Sequence, residues 1–110
     1  MTVVHVVLFE WKASASAETV NAACQRMLAL KDKCTHPKTG QKYVKSYGGG
    51  RDNSPEGMQG GFTHGFVFEF ENEADRDYYT KDDPIHQEFV GSIKDIIQNA
   101  RVVDFSPGVL

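Results

Sequence analysis

The stretch VVHVVLFEW, residues 3–11, carries the most information about the fold. Its β-branched and aromatic residues predict a strand. Alternation places His5, Val7, Phe9 and Trp11 on one face and Val4, Val6, Leu8 and Glu10 on the other. Both faces are largely apolar. A sheet with one solvated face would alternate apolar with polar residues, so this strand needs cover on both sides.

The rest of the chain supplies one of those covers. Ser14 or Ser16 can cap a helix over about residues 17–34, where Val20, Ala23, Cys24, Met27, Leu30 and Cys34 form an apolar stripe at helical spacing. THPKTG, residues 35–40, ends it. KYVKSYGG, residues 42–49, reads as a short second strand, and GGRDNSPEGMQGG, 49–61, as a turn-rich loop. FTHGFVFEF, 62–70, is a third strand with His64, Phe66, Phe68 and Phe70 in phase. Asn72 caps a short helix over about 73–80. Asp82 or Asp83 caps a second one beginning at Pro84, whose stripe of Phe89, Val90, Ile93, Ile96 and Ile97 carries it to Asn99. ARVVDF, 100–105, is the last strand and SPGVL a tail.

The order βα, ββ, two helical segments, β is that of a ferredoxin-like α+β protomer (βαββαβ), with helices on one side of a four-stranded antiparallel sheet. The chain is read as a single domain over 1–110. The helices cover one sheet face only, so the second apolar face predicts a homodimer that buries sheet against sheet.

Bulk properties narrow the function. A net charge of −3 with scattered lysines argues against nucleic-acid binding. No apolar run approaches the roughly 20 residues of a membrane helix, and the N-terminus reads as a strand rather than a signal peptide. Cys24 and Cys34 lie ten residues apart on one predicted helix, too far to bridge. The default setting is reducing and cytoplasmic.

Four ionisable groups stand on inward faces. His5 and His64 are in phase with strand apolars; His86 precedes Phe89, Val90 and Ile93 by three, four and seven residues; Asp104 sits between Val103 and Phe105. A histidine in the first helical turn is held neutral by the macrodipole, and a carboxylate would orient it, making His86 with Asp104 a candidate general base. Tyr78 and Tyr79 stand at the rim, where a tyrosine or second histidine could stabilise an enolate. Val7, Phe9, Cys24, Met27, Phe66, Phe89 and Val90 are candidate lining for a small apolar ligand. The same polar set also reads as a buried structural network. No HxH, HExxH or CxxC spacing points to a metal, and the glycine-rich loop matches no phosphate-binding pattern, so neither metal nor cofactor is expected. His36, beside Pro37, is read as a surface residue.

HVVLFEWK, THGFVFEFEN, YYTKDDPIHQEFV and VVDFSPG together resemble the stress-responsive dimeric A/B barrel family, over nearly the whole chain. The long segment HPKTGQKYVKSYGGGRDNSPEGMQGG is similar to fungal members. The resemblance implies a barrel of two sheets and a pocket between each sheet and its helices. Most members have no known activity, and plant members are heat-stable, stress-induced proteins. One plant branch is a polyketide (olivetolic acid) cyclase that closes an aromatic ring by aldol chemistry without cofactor. Its base corresponds to His86, its supporting aspartate to Asp104, and its other pocket histidines to His5 and His64. Its tyrosine stands one residue closer to the base than Tyr79 does to His86, which leaves Tyr78 and Tyr79 both open. Ala23, Cys24 and Met27 replace bulky aromatics, implying a different pocket shape and substrate. The alternatives are a non-catalytic stress protein and a small-ligand carrier.

Overall fold

A computed structural model describes residues 1–110. Strand β1, Val3–Trp11, is followed by helix α1, Ala17–Lys33, and strands β2, Lys45–Arg51, and β3, His64–Phe70. Helices α2, Glu73–Lys81, and α3, Pro84–Ile93, precede β4, Ile97–Phe105. The strands form one antiparallel sheet in the order β2-β3-β1-β4. This is the expected ferredoxin-like α+β arrangement, with β1 central and the chain's last strand at an edge.

Caps settle the helix starts. Ser16 is the N-cap of α1, accepting from the Thr19 amide, and Asn72 does the same for α2 through Asp75. Asp83 caps α3 with Pro84 in its first turn. The alternation read in β1 is real: Val3, His5, Val7 and Phe9 are buried under the helices, while Val4 and Val6 are half-buried and Leu8 is exposed. Phe66, Phe68 and Phe70 project from β3 onto the same side, against Ala23, Cys24, Met27 and Leu30 of α1 and Tyr79, Phe89 and Ile93.

Three boundaries differ from the sequence reading. β2 starts at Lys45, not Lys42, and runs through the glycines to Arg51. Gly48 adopts a φ of 89° at an irregularity between Ser46 and Gly49, a conformation that favours glycine in a bulge. A side chain at Gly49 would overlap the Phe66 ring, so the glycine admits close packing rather than ending the strand. β3 begins at His64, two residues late. α3 stops at Ile93, and Ile97 opens β4 by pairing with Trp11. Ile96 and Ile97 fit the helical phase, but sheet pairing outcompetes it.

Asp83 ties these elements together. It is 1 % exposed, and its carboxylate accepts from the Ile85 amide at 2.9 Å, from the His86 amide at 3.4 Å and from the Tyr43 hydroxyl at 2.5 Å. It forms no ion pair, so these donors carry the whole cost of burying its charge. Tyr43→Phe is therefore expected to destabilise the fold by about 1–3 kcal/mol. The readout is a lower urea midpoint at unchanged denaturant slope; an unshifted midpoint would show that the Tyr43 hydroxyl does not support Asp83.

Candidate functional site

The register of β1 against β4 sets His5 directly across from Asp104. Cross-strand partners share a sheet face, so both side chains turn toward the helices. His5, 4 % exposed, donates from Nδ1 to Asp104 Oδ1 at 2.6 Å. Arg76, on α2, donates to Asp104 Oδ2 at 3.0 Å and to Asp77 Oδ1 at 2.8 Å. The result is a chain Asp77–Arg76–Asp104–His5. With its proton held on Nδ1, a neutral His5 keeps an acceptor lone pair on Nε2.

The expected pairing of Asp104 with His86 is not made. Both Asp104 carboxylate oxygens are taken, one by His5 and one by Arg76. His86 instead stacks on Tyr79, ring centroids 4.0 Å apart and planes 25° from parallel. Tyr79 is fully buried and meets His5 edge-on at 5.8 Å. Two polar atoms here lack any partner: Tyr79 Oη and His86 Nδ1. Burial pushes the His86 imidazole below its ordinary pKa, with His5 acting the same way against the Tyr79 backbone and Asp83. Burial also drives the Tyr79 hydroxyl far upward, so it stays protonated.

His5, Tyr79 and His86 line a cavity of about 820 Å³. Its walls include the expected Val7, Phe9, Met27, Phe89 and Val90. Ile93, Ile97, Ala100 and Val102 complete it, with Gln87 and Lys94 among the lining. The sequence reading does not include the last two, because both are polar and lie off the apolar stripe of α3. Arg76 was missed too; its position three residues before Tyr79, on one helix face, was the available signal.

The remaining candidates lie elsewhere. His64, Cys24 and Phe66 border a different cavity at the far end of α1. There Trp11 Nε1 donates to His64 Nδ1 at 3.1 Å, and burial, with Arg51 nearby, lowers the His64 pKa. Tyr78 lines neither cavity; it packs against Tyr43 with centroids 5.8 Å apart. Tyr79 is thus the tyrosine beside His86. Cys24 and Cys34 are both free and buried, and burial lifts both thiols, Cys34 to about 12. His36 is half-buried, pairing with Asp75 at 3.3 Å and meeting Tyr43 edge-on, rather than lying in an open turn. No helix is long and apolar enough to cross a membrane.

Residues 3–107 match the family model of the Stress responsive A/B Barrel Domain, and the chain belongs to that family. Among solved structures it is similar to the protein At3g17210 from Arabidopsis thaliana, with 26 % identity, 98 % of this chain and 97 % of that one covered, and a TM-score of 0.74. It also resembles a hydroxynitrile lyase from Passiflora edulis, at 20 % identity, 99 % and 96 % coverage and a TM-score of 0.82. A dimeric ferredoxin-like protein of unknown function from Bacteroides fragilis matches at 18 % identity, 96 % and 95 % coverage and a TM-score of 0.70. No curated protein matches the chain.

Two imidazoles, His64 and His86, are harder to protonate in the fold than in the unfolded chain. The unfolded chain then binds protons first as pH falls through about 6.5, so these two groups subtract stability below that pH and none well above it. Carbon-13 NMR titration should find both titrating below the ordinary histidine value; either one titrating at or above it would contradict the burial argument.

Proposed function

We propose that the His5–Asp104–Tyr79–His86 cavity performs cofactor-independent acid–base chemistry on a small phenolic or polyketide-like carbonyl compound. The observation that carries this reading is one apolar cavity bordered by the carboxylate-held His5, by Tyr79 and by His86, the last two each with a buried polar atom that has no partner in the chain. Native folds leave few such atoms, and a bound ligand oxygen is one way to supply the missing partner. His5 takes the role of base. Its Nε2 accepts a proton from the carbon beside a carbonyl, the C–H electron pair passes into the enolate, and Asp104 stabilises the imidazolium. Tyr79, kept protonated by burial, donates to the enolate oxygen, and neutral His86 serves beside it. Asp104 therefore supports His5 here, whereas the resemblance to the plant cyclase branch assigns the base to His86. The segment 36–61 aligns this chain with fungal members of the family in the same proposal, and a cytoplasmic setting fits its two free thiols.

The site belongs to a homodimer in this reading. On the sheet face away from the helices, Val103 is 62 % and Phe105 48 % exposed beside Leu8, Val6 and Val67. Structural neighbours described as dimeric ferredoxin-like proteins support burying that face against a second copy. Val103→Glu is expected to yield a monomer by light scattering; a persistent dimer would mean that another surface makes the contact.

A second reading has its own support. The chain Asp77–Arg76–Asp104–His5 braces α2 against two strands, as a stable stress protein without turnover would need. Deuterium exchange at the α-carbon of acetylacetone, followed by NMR, separates the two. An active site gives exchange above buffer that falls about 100- to 10,000-fold in His5→Gln. The structural reading gives no enzyme-dependent exchange with a lower melting temperature for the same variant.

A further inference from the structure

We propose that the second cavity, between α1 and the β2–β3 end of the sheet, binds a small organic carboxylate with an apolar body and a hydroxyl group. The cavity is about 570 Å³, within the range of small-molecule sites. It stands apart from the His5 site and does not depend on that site's chemistry. Small residues on the first turns of α1, Ala17, Val20 and Cys24, leave it open, and Trp11 and Phe66 give it aromatic walls.

Its polar groups are poised and unspent. Arg51 and His64 are cross-strand partners at the ends of β2 and β3, so they stand side by side. Arg51 forms no ion pair. His64 Nδ1 accepts from the indole N–H of Trp11, which can only donate, and from the Thr63 hydroxyl at 2.8 Å, so the neutral ring carries its proton on Nε2. That second N–H has no partner within the chain. Two donors, one of them a permanent cation, thus border one cavity, which is the equipment for an anionic oxygen pair.

Glu10 borders the same space and also lacks an ion-pair partner. Its carboxylate lies over Gly61, at a φ of 93°, where any side chain would collide with it. The carboxylate repels a multiply charged phosphate and accepts from a hydroxyl. A singly charged acid that also carries a hydroxyl satisfies both groups at once.

Trp11 is the chain's one tryptophan and lines this cavity, so its fluorescence is a local reporter of binding here. Titration with 4-hydroxyphenylacetate should give a saturable change in emission, with Kd below about 1 mM. The neutral 4-hydroxyphenylacetamide, and the acid with Arg51→Gln, should each bind about tenfold more weakly or worse. His86→Ala should leave the titration unchanged, which places the ligand here rather than in the larger cavity. Arg51 is exposed at an edge strand, and an unchanged melting temperature verifies that its variant is folded; Arg51→Lys, which keeps the charge, should bind between the two. No saturable change, equal binding of acid and amide, or an Arg51→Gln titration matching the parent would each overturn the proposal.

Discussion

The pairing of β1 with β4 is the constraint on which the larger site depends. Strand side chains alternate with a period of two, so a slip of one residue would turn Asp104 to the opposite sheet face. The observed register instead sets Asp104 across from His5, Val102 across from Val7 and Ala100 across from Phe9. One pairing thus delivers the carboxylate, the histidine and four pieces of cavity wall to the same side. Arg76 then reads the outcome from α2, and its bond to Asp104 locks the helix onto the strand that the register placed.

Burial makes that cluster demanding. His5 and Asp104 would be costly apart, since a buried charge or donor without a partner is expensive. Together with Arg76 they leave only the Nε2 of His5 free for chemistry. The stacked pair of Tyr79 and His86 is the opposite case, with two polar atoms whose hydrogen-bonding capacity the fold leaves unused. Held on α2 and on the capped first turn of α3, both rings keep fixed positions. The proposed chemistry relies on such preorganisation, which is the condition under which hydrogen bonds favour a transition state.

Much of this could be read from the chain itself. The period-two alternation of residues 3–11 and 64–70, the caps at Ser16, Asn72 and Asp83, and the apolar stripe of α1 each rest on local rules that the fold obeys. What local rules could not supply was pairing. His86 and Asp104 both face inward, but which histidine the aspartate meets is a question of strand register, and it meets His5. The same ignorance merged two cavities into one: His64 shares a face with Phe66 and Phe68, yet lies at the strand end beside Trp11. β2 was misplaced because three consecutive glycines look like a loop, when Phe66 requires the absence of a side chain at Gly49.

Phe9 and Phe66 explain why the interior is divided. Their rings meet at 5.7 Å, Phe9 lining the larger cavity and Phe66 the smaller. Phe9 also touches Phe89 at 6.5 Å and Trp11 at 5.2 Å, so one ring connects α3 to the far end of β1. Aromatic packing of this kind is dense and resists gradual deformation. Occupancy on one side can therefore reach the other only by repacking this wall, and the small residues of α1 opposite it, Ala23 and Cys24, set how much room that repacking has. The larger cavity has Tyr79 and His86 at the α2–α3 junction, the smaller has Arg51 and His64 at the β2–β3 strand ends, and the Phe9 and Phe66 rings lie between the two sets.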